Sequence, residues 1–151
     1  MPAFELNRNA KTNARAYGRL SAFAQGYVEA MFFTNGDLGD DTHGAHYLNE
    51  LGVARLTRQA IARVVGDCDR FLAMPMPDGA TVGDWLGSLA RPEGYDEEKA
   101  GRDLWFTRRR HGAGYWDREE LELGAGDALT TLAHAMGEVT VDVVRGWIYH
   151  S

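Results

Sequence analysis

Cysteine is almost absent from this chain, with Cys68 standing alone. That excludes an internal disulfide and a cysteine-built zinc knuckle, and a lone thiol among apolar neighbours fits a reducing compartment. Long apolar runs are missing as well. No stretch approaches the roughly eighteen consecutive apolar residues that read as a bilayer span, and the opening Met1-Pro2-Ala3-Phe4-Glu5-Leu6-Asn7-Arg8 has no apolar signal region. The cytoplasm is the expected location, and no membrane partner is expected. Positive charge is in the minority, with 16 Lys and Arg against 22 Asp and Glu, for a net charge of −6. Such a balance argues against non-specific attraction of the whole molecule to nucleic acid. Gly112-Ala113-Gly114 does not lead from a strand into a phosphate-binding helix, so no nucleotide loop and no cofactor is expected.

What is present is a substantial core. The 151 residues are 44% apolar and 11% aromatic, enough for one domain over 1–151, with residues 1–11 a flexible lead. No internal repeat or long linker argues for a second domain.

Residues 12–33 carry a helical stripe of Tyr17, Leu20, Ala24, Tyr27, Val28 and Met31, closed by Asn35-Gly36-Asp37. Asp37 to Glu50 reads as a surface loop. A second helix is expected from about Leu56 to Ala73, with Ala60, Ile61, Val64, Val65, Cys68, Phe71 and Leu72 on one face and Asp67 and Asp69 on the polar side. Pro75 and Pro77 stop it. Thr81, three residues before Asp84, caps a short helix through Trp85 and Leu89, and Tyr95 to Ala100 adds a turn or two.

From there the pattern reads as aromatic alternation. Leu104 and Phe106 on one face, Trp105 on the other, and a return through Tyr115-Trp116 predict a β-hairpin in which Trp105 and Trp116 pack across strands. A last helix over 126–136 ends at Gly137. Val139, Val141 and Val143 then alternate into a strand, Arg145-Gly146 turns, and Trp147-Ile148-Tyr149 returns. The expected fold class is α+β, a small antiparallel sheet of three or four strands with helices packed mainly on one face.

Few residues offer chemistry. His43 and His46 beside Asp37, Asp40 and Asp41 are a weak metal candidate, since His-x-x-His without a third ligand is poor evidence against a solvated loop. Cys68 lacks a basic partner in sequence and reads as a buried thiol. His111 and Asp117, at the tip and return of the expected hairpin, could do general acid–base work as a small hydrolase; a turn cap and an arginine pair are the simpler account. Arg108, Arg109 and Arg110 suit a phosphate ligand or nucleic acid. Asp117 to Asp142 holds seven acidic residues and Arg118 as its one Lys or Arg, so this stretch suits a protein partner with a basic surface.

The segment from Ala100 to Arg118 resembles the signature of a family of small, mostly uncharacterised phage and prophage proteins. Its pattern is an aromatic strand, a Thr-Arg-x-x-His-Gly-Ala-Gly turn and an aromatic-Trp-Asp return. It is matched by Thr107, Arg108, His111, Gly112, Ala113, Gly114, Trp116 and Asp117. Phe23 to Phe33 and Asp67-Cys68-Asp69-Arg70-Phe71 resemble the family more weakly, so the likeness spans most of 20–149. Family members often carry Asn-Gly where this chain has Arg109-Arg110. The resemblance implies a non-enzymatic accessory protein of a mobile element in the host cytoplasm, an anti-CRISPR or another modulator of host defence or nucleic-acid processing. The expected contact residues are Arg108, Arg109, Arg110, His111, Tyr115, Trp116, Asp117, Glu119, Glu120 and Glu122. Direct phosphate or nucleic-acid binding is the alternative, and the sequence leaves the oligomeric state open.

Overall fold

The computed structural model describes residues 10–35, 39–40, 46–88, 93–110, 112–121 and 123–151. Along the chain these form α1 (Ala10–Gly18), α2 (Ala22–Thr34), β1 (Gly39–Asp40), β2 (His46–Tyr47), α3 (Leu48–Leu51) and α4 (Arg58–Leu72). They continue with α5 (Val82–Leu86), α6 (Glu97–Arg109), α7 (Leu123–Ala135), β3 (Val141–Val144) and β4 (Trp147–His150). Single 3-10 turns occupy Val53–Arg55 and Tyr115–Asp117.

The stripe over 12–33 makes two helices instead of one. Ser21 is extended, at φ −61° and ψ 160°, and its hydroxyl accepts the Ala24 amide at 3.2 Å, which starts a new helix. Gln25 Nε2 reaches back across the break to the Tyr17 and Leu20 carbonyls. α4 follows its apolar stripe, with the Thr57 hydroxyl accepting the Ala60 amide at 3.1 Å. Thr81 caps α5 through the Asp84 amide as its spacing predicts.

The expected hairpin over 103–117 does not form. Those residues are the end of α6 and a 3-10 turn. The alternation of Leu104 and Phe106 holds only inside a short window. Read from Asp96, the buried positions Ala100, Leu104, Trp105 and Arg108 recur at helical spacing. Asp96 caps the Lys99 amide at 2.8 Å, Glu97 and Glu98 occupy the electropositive first turn, and Arg108 and Arg109 the last. Trp105 is fully buried and Trp116 is 41% exposed, so the two rings do not pair across strands.

α2 and α6 approach closely, and a glycine on each makes it possible. A Cβ on Gly101 would fall 1.8 Å from the Phe23 carbonyl oxygen, and one on Gly26 would fall 2.1 Å from that of Glu98. Around this contact Phe23 stacks on Phe71 and Phe71 on Tyr115, with centroids 6.1 and 5.8 Å apart.

Among the described residues the strands form two separate two-stranded antiparallel ladders, and no sheet of three or four strands. The protein is mostly helical with a small β component. β1 pairs with β2 over two residues. β3 and β4 pair Val141 with His150 through Val144 with Trp147, joined by Arg145 and Gly146 at φ 50° and 79°, which is the primed turn that matches strand twist. Thr140 and Ser151 exchange both backbone bonds, so the Ile148 and His150 backbone groups face away from β3. They do not stay open. The Thr57 amide donates to Ile148 O at 3.0 Å, while the Gln59 side-chain amide accepts from His150 N and donates to His150 O. Gln59 thus stands in for a third strand at this edge.

Candidate functional site

A charged residue on an apolar helix stripe must bring a partner inside with it. Asp67 lies on the buried side of α4 between Val64 and Phe71, not on the polar side, and its partner is Arg108 of α6. Arg108 Nη1 donates to Asp67 Oδ2 at 2.7 Å and to the Tyr27 hydroxyl at 3.1 Å. Its other nitrogens reach the Gly137 and Met136 carbonyls at 3.1 and 3.3 Å. The Tyr27 hydroxyl lies 2.8 Å from His150 Nε2. One buried hub therefore joins α2, α4, α6, the end of α7 and β4.

The donors fix its direction. A guanidinium can only donate, so the Tyr27 oxygen accepts from Arg108 and its single proton goes to His150. Assigned from this network, His150 accepts at Nε2 and carries its proton on Nδ1, a buried atom with no partner among the described residues. Burial holds the neutral imidazole, lowering its pKa to about 4; Arg108 and Arg63 add to that and Asp67 opposes it. Burial raises the Asp67 carboxyl, but Arg108 and Arg63 together outweigh it and leave the pKa lowered. Burial also pushes the Tyr27 phenol far above its ordinary value. The four side chains look like an acid–base constellation, yet all four residues are buried. Cys68, beside them, is held as a thiol by burial and by the carboxylates of Asp67 and Asp69. The hub's task is to hold helices together.

The 107–117 segment is similarly structural inside. Thr107 Oγ1 accepts the Tyr115 amide at 3.1 Å, and the Tyr115 hydroxyl donates to the Ala100 carbonyl at 2.6 Å. Arg118 grips Asp103 with Nη2 at 2.6 Å and Nε at 2.9 Å, and Tyr95 donates to the same carboxylate at 2.8 Å. Arg110 ends α6 at φ 58°, a left-handed position.

The outer side of this segment faces solvent. Asp117 Oδ1 accepts the Gly114 amide at 3.1 Å, closing a tight turn. The Trp116 ring lies against Gly114, where a Cβ would fall 2.1 Å from Cζ3. Trp116 thereby packs one edge on Gly114 and stays 41% exposed. Asp117, Glu119, Glu120 and Asp127 are exposed along the same stretch, with Lys99 3.7 Å from Glu120 as a rim pair. Glu122 lies outside the described residues.

The predicted basic face is not assembled as expected. Arg108 is fully buried. Arg109 is partly buried, donating to the Val139 carbonyl at 3.1 Å and lying over the Trp105 ring. Arg110 is exposed, 3.9 Å from Glu138. Tyr115 is buried in the core rather than offered to a partner. His111 lies outside the described residues, so the His111–Asp117 pair has no geometry here. His43 lies outside them too, and His46 is placed only as backbone of β2. Among the described residues no three His, Cys, Asp or Glu side chains gather for a metal ion. No described helix is long and apolar enough to cross a membrane.

Sequence reasoning missed the roles of Tyr27, Asp67 and His150. The signal available was Asp67 itself, a carboxylate in register with the apolar stripe of α4. It also missed Phe33, which is 83% exposed on the last turn of α2. An open groove of about 490 Å³ borders the β3–β4 hairpin, lined in part by Gln59, Asp142, Tyr149 and His150. No protein-family model, curated protein or solved structure matches this chain.

Proposed function

We propose that this is a non-enzymatic accessory protein of a mobile genetic element. In this reading a ridge formed by Trp116 with the exposed acids Asp117, Glu119, Glu120 and Asp127 binds a basic surface on a host protein of defence or nucleic-acid processing. The observation that carries the reading is Trp116, half-exposed and packed against Gly114 beside exposed Asp117, Glu119 and Glu120. A rigid aromatic anchor loses little freedom on binding, and flanking acids steer a cationic partner toward it. The polar groups best suited to chemistry, Tyr27, Asp67, Cys68 and His150, are buried, which supports binding over turnover. With Arg108 buried and Arg109 bound to a backbone carbonyl, the phosphate-binding alternative retains mainly Arg110.

The test is association kinetics with a captured host partner across ionic strength. The double variant Glu119→Gln, Glu120→Gln should slow association and flatten its salt dependence while leaving folding intact. Unchanged kinetics would remove the ridge from the mechanism.

A further inference from the structure

We propose that the Tyr27–His150 contact is an acid-sensitive latch: protonating His150 frees the β3–β4 hairpin from a helical core that stays folded. Three observations converge on it. The chain of donors from Arg108 through Tyr27 to His150 runs one way, because Arg108 has no acceptor to offer. A proton added at Nε2 would place a second donor on the Tyr27 oxygen and leave the phenol proton without its acceptor. Nδ1, the other ring nitrogen, has no hydrogen-bond partner among the described residues.

The surroundings decide the sign. From α4 the ring faces Asp67, which favours the cation, and Arg63, which opposes it; from α6 Arg108 also opposes it, and burial adds to that opposition. Among the described residues the Tyr27 and Trp105 rings also lie by the imidazole, with centroids 5.8 Å away, as do Gln59 at its backbone and Val141 across the ladder. Asp67 is already paired with Arg108 at 2.7 Å, Arg63 at 3.2 Å and Arg70 at 3.7 Å, so its pull on a further cation is largely offset.

The release would be local because the hub divides cleanly. The Asp67–Arg108 pair and the α2–α6 glycine contact contain no hairpin atom. The bonds that tie β4 to the rest of the fold include those of Thr57 and Gln59 to the Ile148 and His150 backbone, the Tyr27 contact and the Arg55 guanidinium over the Trp147 ring. Part of a fold can open below the free energy of global unfolding when the bonds that hold the remainder together are separate from its own. The groove lined by Gln59, Tyr149 and His150 brings solvent to this edge.

Hydrogen exchange, corrected for intrinsic rates, tests this between pH 7 and pH 4. Amides of 141–150 should lose protection by on the order of 100-fold, since opening takes up one proton, while those of α4 and α6 stay protected at the acid end. Equal opening free energies for hairpin and helices at every pH would overturn the proposal, as would hairpin protection that does not change. His150→Phe should abolish the acid-induced loss; its persistence in that variant would also overturn the latch. Tyr27→Phe provides the second variant, keeping the ring and removing the hydroxyl. It should lower hairpin protection at pH 7, and unaltered protection there contradicts the latch.

Discussion

Arg108 and Asp67, 41 residues apart in sequence, meet at 2.7 Å with both residues buried and lock α6 to α4. A buried pair of this kind is weak evidence of net stability, but removing one partner leaves the other charge stranded. Arg108→Met should therefore destabilise the fold by about 3–5 kcal/mol, read from urea unfolding. The double variant Arg108→Met, Asp67→Leu should recover much of that loss. A loss under about 1 kcal/mol for the single change is what a solvated arginine would give.

Gly101 and Gly26 offer a steric test that involves no charge. Gly101→Ala places a methyl against the Phe23 carbonyl and should cost about 1–3 kcal/mol or more, as overpacking does. Thermal unfolding that matches the wild type would mean that α2 and α6 are not this close.

At Arg110 the expectation is opposite in sign. A non-glycine residue at φ 58° bears a steric cost that glycine lacks, and its 3.9 Å contact with Glu138 is exposed and weak. Arg110→Gly should raise stability by up to about 1 kcal/mol. A drop in the urea midpoint would show that the arginine side chain contributes more than its backbone costs.

Stability should fall in acid. His150 has its pKa lowered from 6.5 to about 4 in the folded protein. Between those values the unfolded chain binds the proton that the folded one refuses, so stability drops as pH falls from 6.5 to about 4. The loss is about 3 kcal/mol at most. Asp67, also lowered, adds a further loss as pH falls through its folded pKa. Denaturant unfolding at a series of pH values checks this. His150→Phe should flatten the upper part of the slope, and an unchanged slope would assign it to other groups.

Much of the local structure was legible from side chains that act on their nearest neighbours. Thr57, Ser21 and Thr81 cap helices through amides three residues on, and Arg145-Gly146 marks a primed turn. Of these, Thr81 and the Arg145-Gly146 turn stand out from residue type and spacing alone. The failures lie where a short pattern fits two periods or a distant partner decides. Leu104, Trp105 and Phe106 alternate like a strand until Asp96, Ala100 and Arg108 are included. Asp67 reads as polar surface until Arg108 reaches it from another helix. Trp105 and Trp116 look equivalent in sequence, yet one is buried with its indole donating to Thr34 at 2.7 Å and the other lies half-exposed over Gly114. The acids at 117, 119, 120 and 127 were legible as a charged stretch, because exposed charge depends little on tertiary detail.

The division between core and ridge bears most directly on function, and a paired comparison of binding tests it. One variant carries Trp116→Ala, Glu119→Gln and Glu120→Gln; the other carries Arg109→Gln and Arg110→Gln. Both are measured against wild type for association with the captured host protein and with nucleic acid or a phosphate ligand. The account predicts that the ridge variant loses the host protein, with a folding cost below about 2 kcal/mol because Trp116 is half-exposed. It predicts that the arginine variant retains it. Loss of binding confined to the arginine variant, with nucleic acid or a phosphorylated metabolite as the bound molecule, would contradict it.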